Sequence, residues 1–151
     1  MLSAAMAHET ELPDGYRLSD APEVFDLERA HAWIGGESYW GQGIPLETFR
    51  RAVENSLTVG VFAPDGAMAA MARVVSDRAT FGWIDDVFVE EAHRGHGLGK
   101  AIMAYLMGHP DLKGLRRLLL ATRDAHGLYA QFGFAPPARV QSLMEIRSDG
   151  V

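Results

Sequence analysis

Apolar residues between Leu57 and Val89 fall into three runs, LTVGVFAP, AMAAMARVVS and TFGWIDDVFV, divided by turn signals at Pro64-Asp65-Gly66 and around Asp77-Arg78. That pattern predicts an antiparallel meander of three strands. Tyr16 to Ser19 reads as a short first strand. Elsewhere the period lengthens: Leu27, Ala30, His31 and Ile34 recur at helical spacing behind Asp26, a natural cap, until Gly35-Gly36. A second helix is predicted from Leu46 to Asn55, and Leu98, Ile102, Tyr105 and Leu106 mark a third that Gly108 and Pro110 end. RRLLLAT then reads as a short buried strand, Ala125 to Gln131 as a helix stopped by Gly133, and Ser142 to Arg147 as a closing strand. Strands first and a strand-helix-strand-helix pattern afterwards predict a mixed α/β or α+β sheet.

Length and composition narrow this picture. The 151 residues suit one domain, taken as 15–151, with 1–14 as a flexible leader that is polar after Met6 and has no basic n-region. With 48% hydrophobic and 23% charged residues the balance is that of an ordinary globular chain. The net charge of −6 argues against a general nucleic-acid binder, whose affinity comes from clustered Lys and Arg. Any basic site must be local. Without cysteine there is no disulfide, thiolate metal site or cysteine nucleophile, and no stretch approaches the roughly 18 apolar residues of a membrane span. The expectation is a cytoplasmic protein with no membrane partner.

Local basic charge does occur, in HRGHGLGK from His93 to Lys100. Glycines at 95, 97 and 99 let backbone N–H groups approach a bulky anion, and the loop leaves a strand to enter a helix, so the positive end of that helix points at the same spot. Arg94 and Lys100 add charge-assisted donors, which suits a diphosphate. Two familiar glycine signatures fail here. A Walker loop needs Gly where Arg94 stands and a hydroxyl where Ala101 stands; a dinucleotide fingerprint needs Gly where Lys100 stands. A plain tight turn remains the bland alternative.

The wider context V-F-V-x-x-x-x-R-G-x-G-L-G-K, followed by an amphipathic helix, resembles motif A of the GNAT acetyltransferase superfamily, with Arg94, Gly97 and Gly99 filling its R/Q-x-x-G-x-G/A places. Downstream, ATRDAHGLYAQFGF resembles the superfamily's next strand and helix, with Leu128, Tyr129, Gly133 and Phe134 in the L-Y-x-x-x-G-F pattern. HAWIGGESYWGQGIP is similar to a small bacterial branch whose acceptors are mostly unassigned. The resemblance implies a mostly antiparallel central sheet of about six to seven strands, about four flanking helices and a V-shaped cleft. It further implies acetyl-CoA as co-substrate, lying between the strand ending at Val89 and the strand ending near Thr122. The edge of Val87, Phe88 and Val89 would bond the pantetheine amides, and Arg94, Gly95, His96, Gly97, Leu98, Gly99 and Lys100 would hold the pyrophosphate. Thr122, His126, Tyr129 and Phe132 would flank the arm of the cofactor. Many members carry Asn where this chain has Thr122, which departs from their side-chain contact to pantetheine.

By the same resemblance Tyr129 is the general acid that protonates the departing thiolate; its bland alternative is a packing Tyr. Alternation sends the side chains of Asp85 and Asp86 to opposite faces of their strand. Asp85 matches the base of glucosamine-phosphate acetyltransferases, Asp86 serves equally if the strand bulges, and many members use a water chain instead. Either carboxylate could also simply hold Arg73. Glu37, Tyr39, Trp40 and Arg73 are the candidates for lining the acceptor pocket, with Trp40 as a core plug and Arg73 in a surface ion pair as the alternatives. His31 reads as a satisfied core residue. His93, His96 and His126 have no metal-ligand spacing, so no metal is expected. The function implied is acetyl transfer to a primary amine of a small molecule or peptide in a ternary complex. An acyl-CoA-binding sensor on the same fold is the alternative. Dimerisation through terminal strands is frequent in the superfamily, so a homodimer is an expectation as well.

Overall fold

A computed structural model of the protein describes residues 7–148. Six strands form one sheet in sequence order: β1 (Glu9–Glu11), β2 (Arg17–Ser19), β3 (Leu57–Phe62), β4 (Met68–Ser76), β5 (Phe81–Val89) and β6 (Arg117–Leu120). Neighbours from β1 to β5 are antiparallel, while β6 runs parallel to β5. A parallel pair needs a crossover, and α3 (Leu98–Gly108) supplies it. The other helices are α1 (Leu27–Gly36), α2 (Leu46–Glu54) and α4 (His126–Ala130). The Asp26 carboxylate caps α1 by accepting from the Arg29 N–H.

Two cores sandwich the sheet. Leu98, Ile102, Met103 and Leu106 of α3 pack with Leu18, Val59, Val61, Val74 and Ile84 on one face. Ala30, Trp33 and Ile34 of α1 and Phe49 of α2 pack with Phe62, Met68, Met71 and Phe88 on the other. Strand alternation explains the split in β3, where Val59 and Val61 face α3 and Phe62 faces α1. In β5 alternation breaks, because Ile84 and Phe88, both even, lie in opposite cores. The cause is a bulge. Met71 pairs with Phe88 and Arg73 with Asp85, so Asp86 and Val87 stand opposite Ala72 alone, and Asp86 adopts a φ of +51°.

Two expectations at the chain ends change. Residues 9–11 of the expected leader form the edge strand β1, held to β2 in register Glu9 to Ser19, while residues 1–6 lie outside the described ones. The closing strand predicted from Ser142 to Arg147 does not form: Val140–Ser142 is a 3₁₀ turn and 143–147 belong to no strand. The alternation of a strand is legible in the residues, but no strand among the described residues pairs with them.

Candidate active site

The site begins where β5 and β6 part. They pair only over Phe81–Ile84 and Arg117–Leu120, an approach that Gly82 permits, since a Cβ there would sit 2.7 Å from Leu118 Cδ1. Beyond Ile84, β5 continues to Val89 with no neighbour on that side among the described residues. The gap therefore exposes one edge of Val87 to Val89, the kind of backbone row that takes an added strand-like ligand. It leads directly into the glycine loop.

That loop encloses a 240 Å³ depression lined by Val89, His93, Arg94, Gly95, Gly97, Leu98, Gly99, Lys100 and Leu128. Gly95 and Gly97 have φ of +87° and +72°, and a Cβ at either would meet nothing within 4 Å, so the space before them is open. Gly97 is the N-cap of the eleven-residue α3, whose first N–H groups have no partner within the helix. Arg94 Nε donates to the Val89 carbonyl at 3.2 Å, which carries the guanidinium across the mouth. The donor set fits an anion with several oxygens. His93 and His96 are engaged from the N-terminal side, by Tyr16 Oη at 2.9 Å and the Asp14 carboxylate at 3.2 Å.

At the bulge, the expected opposition of Asp85 and Asp86 does not hold. The αL geometry at Asp86 turns its side chain to the face of Asp85, and both carboxylates bind Arg73, whose Nη2 donates to Asp85 Oδ2 at 3.1 Å and whose Nε donates to Asp86 Oδ2 at 2.8 Å. The two acids differ in what else holds them. Asp86, 5% exposed, also accepts from Trp40 Nε1 at 2.7 Å, so both its oxygens are committed. Asp85 keeps 36% of its side chain exposed. Burial, then the charge of Asp86, raise the Asp85 pKa above its ordinary 3.8, outweighing the pull of Arg73. Trp40 is thus no core plug; it is 38% exposed and spends its indole N–H on Asp86.

Opposite lies Tyr129 on α4, 9% exposed, with its ring 6.1 Å from that of Phe134. Its hydroxyl has no hydrogen-bond partner among the described residues, yet it is not sealed off, since no fully buried side-chain N or O atom there lacks a partner. Burial first, then Tyr39 and Asp124, raise its pKa above 10.0, so the phenol keeps its proton at neutral pH. It is a donor. Tyr39 bridges the cleft, its hydroxyl accepting from the Arg123 N–H at 2.9 Å and its ring lying 3.9 Å below the Arg123 guanidinium.

The profile of the acetyltransferase (GNAT) family matches residues 30–134. The chain belongs to the GNAT acetyltransferase family. A crystal structure of a GNAT-family protein from Xanthomonas campestris pv. campestris is 46% identical, with a TM-score of 0.88 over 93% of this chain and 97% of that one. Glucosamine 6-phosphate N-acetyltransferase 1 of Oryza sativa subsp. japonica is 29% identical over 80% of this chain and 82% of its own. The crystal structure of the glucosamine-6-phosphate N-acetyltransferase of Arabidopsis thaliana shares the fold, at 18% identity and a TM-score of 0.64 over 89% of this chain and 99% of that one.

Within this GNAT fold the expected residues divide. Val87 to Val89 and Arg94 to Lys100 frame the gap and its loop, while Asp85, Asp86, Arg73 and Trp40 form one network with Ser56, which accepts from Arg73 Nη1 at 3.2 Å. Thr122 Oγ1 accepts from the Ala125 N–H at 3.0 Å and so braces the turn into α4. His126 and Phe132 lie with Tyr129 along a groove beside β6. Glu37 is exposed at the end of α1. His31 is satisfied by the Ile44 carbonyl at 2.7 Å. The sequence gives neither Arg123, inside the downstream motif segment, nor Ser56, outside every motif, a role in the site; only the folded loops bring them to Tyr39 and Arg73.

A different trio from the expected histidines, His8, Asp20 and His109, brings ligand-type atoms within 4.8 Å of one another. Hydrogen bonds already use it. Asp20 accepts from the His8 N–H at 2.6 Å and the Tyr105 hydroxyl at 2.5 Å, and His109 Nδ1 accepts from the Asp111 N–H at 3.0 Å, which puts the proton of the neutral ring on Nε2. No helix among the described residues is long and apolar enough to cross a membrane.

Proposed function

We propose that the chain is an acyl-CoA-dependent N-acetyltransferase that moves an acetyl group from acetyl-CoA to a primary amine of a small molecule or peptide, by direct attack in a ternary complex. The observation that carries this reading is the parting of β5 and β6 into a gap that ends at an open glycine loop on a helix N-terminus. The fold family's co-substrate has one anionic end and one amide-bearing arm, and the loop and the β5 edge answer them in that order. The thioester of acetyl-CoA supplies the activated acyl group.

The residues have distinct tasks. Arg94, Lys100 and the free N–H groups behind Gly97 neutralise the pyrophosphate. Backbone N–H groups of Val87 to Val89 turned to the gap are placed to bond a carbonyl oxygen as negative charge grows on it. Asp85, partly exposed and with its affinity for protons raised, takes a proton from the acceptor's ammonium directly or through water, and the neutral amine so formed attacks the thioester carbonyl. Tyr129 donates its proton to the leaving sulfur. Asp86 and Arg73 position Asp85 and do not themselves react. Acceptor recognition falls to Glu37, Tyr39 and Trp40 at the mouth, where exposed acid and aromatic faces favour a cationic amine. The rice relative's name makes amino-sugar phosphates one class to include in a screen.

Titration of the purified protein with acetyl-CoA, CoA, ATP and NAD tests the reading. The expected outcome is binding of the two CoA species below about millimolar, a free energy beyond roughly 4 kcal/mol, with none for ATP or NAD. Arg94→Ala should weaken CoA binding about tenfold, one charge-assisted contact. Thiol release with a panel of amines, amino acids, amino sugars and peptides then finds the acceptor; CoA binding without release on any of them would favour the sensor.

A further inference from the structure

We propose that Arg123 anchors the acceptor by an anionic group, so that the molecule acetylated is a small amine that also carries a carboxylate or a phosphate. The inference rests on the transfer to an amine proposed above and adds the second end of that amine. Among the described residues three arginines stack on aromatic rings: Arg17 over Phe62 at 5.5 Å, Arg29 over Trp33 at 5.6 Å and Arg123 over Tyr39 at 3.9 Å. The first two also hold a carboxylate, Glu9 at 3.8 Å and Glu90 at 2.6 Å. Arg123 stacks most closely of the three, yet its guanidinium has neither an ion pair nor a hydrogen bond among the described residues.

Stacking occupies the flat face of a guanidinium and leaves its N–H edges free, and those edges match the paired oxygens of a carboxylate or phosphate. Tyr39 holds the platform in place. Its hydroxyl accepts from the Arg123 backbone N–H at 2.9 Å, and its ring meets that of Trp40 edge-on at 4.9 Å. Trp40 in turn donates to Asp86, which shares Arg73 with Asp85. Few contacts therefore separate the unspent cation from the carboxylate that takes the proton of the ammonium. Tyr129 feels the charge of both Tyr39 and Asp124, which sets the platform near the acid as well. Opposite charges thus occupy separate places at the mouth: exposed Glu37 and Asp124, with Asp85, suit an ammonium, and Arg123 is the cation left for an anion. On a chain of net charge −6, an acceptor with an anionic end needs a local cation to offset the overall field. Because Arg123 is exposed, an amine without the anion leaves it in water at no cost, so the preference comes from added attraction alone and should be about tenfold, not absolute.

Matched pairs of amines test it: β-alanine against β-alaninamide for a carboxylate, and O-phosphoethanolamine against ethanolamine for a phosphate. Arg123→Gln lies at an exposed position and should keep the native circular dichroism spectrum. In thiol-release assays it should lower kcat/KM about tenfold for the anionic member of at least one pair and leave the neutral member within about twofold. A second readout needs no turnover. The Nε resonance of Arg123 in isotope-labelled protein, identified by its absence from the Arg123→Gln spectrum in mildly acidic buffer, should shift with the anionic amine and stay in place with its neutral partner, with CoA present or not. Equal losses for both members of each pair, a resonance that neither anionic amine moves, or one that acetate and inorganic phosphate move at the same concentrations would each overturn the proposal. Should no amine release thiol while the resonance still answers to the anionic amine, the transfer reading fails and the anchor stands; release without selectivity at Arg123 is the reverse.

Discussion

In the proposed reaction two side chains carry the chemistry, and burial strengthens the hold of each on its proton. Tyr129 is buried enough to hold its proton well into the alkaline range, while its oxygen is not sealed off. Replacing it by Phe removes one proton and little volume, so turnover should drop roughly a hundredfold with CoA binding nearly unchanged. Steady-state kinetics beside a binding titration separates the two effects, and equal losses in both would remove the acid role. Asp85 works from the other side. A base acts when deprotonated, and burial and Asp86 move that transition upward from 3.8, so the acid limb of the pH–rate profile should lie above the ordinary carboxylate range. Asp85→Asn should abolish that limb and lower kcat; a variant that keeps both limb and rate points to a water chain alone.

The bulge in β5 is the element that makes the pair. One extra residue, Asp86, reverses the alternation that would send the two acids apart, and the same displacement directs Val87 and Val89 toward α3 and Phe88 toward α1. The preceding turn is built with equal economy. Asp77 Oδ1 accepts from the N–H groups of Ala79, Thr80 and Phe81, and Oδ2 accepts from the Thr80 hydroxyl, bonds that hold its pKa far below the usual range. The sign follows from the depressed value. Its contribution is complete above the unfolded value near 3.8 and fades as pH falls below it. Asp77→Ala should therefore lower the thermal midpoint at pH 7, with the gap to wild type narrowing in acid, which melting curves across pH would show.

At the scale of the molecule, Arg73 is the knot. It joins β4 to both acids of β5 and to Ser56, just after α2, and through Asp86 it reaches Trp40 in the loop between α1 and α2. Arg73→Ala leaves Asp86 buried with only the indole N–H as partner, which should cost about 3 kcal/mol in a denaturant titration, far more than loss of a surface pair. Much of this architecture was legible beforehand. The meander, the four helices, the β6 segment and the glycine loop all follow from period, turn residues and caps, because those are written in neighbours along the chain. The family's own motifs add an expectation for the loop's ligand and for Tyr129. What neighbours cannot encode is which distant groups meet. The sharing of Arg73 by two adjacent acids hangs on a bulge whose extra residue is counted only against the partner strand. The Tyr39–Arg123 bridge joins two loops 84 positions apart. The last segment carries the alternation of a strand and yet forms none among the described residues, because alternation specifies a buried face, while a strand also needs an edge to pair with, which only the tertiary structure decides.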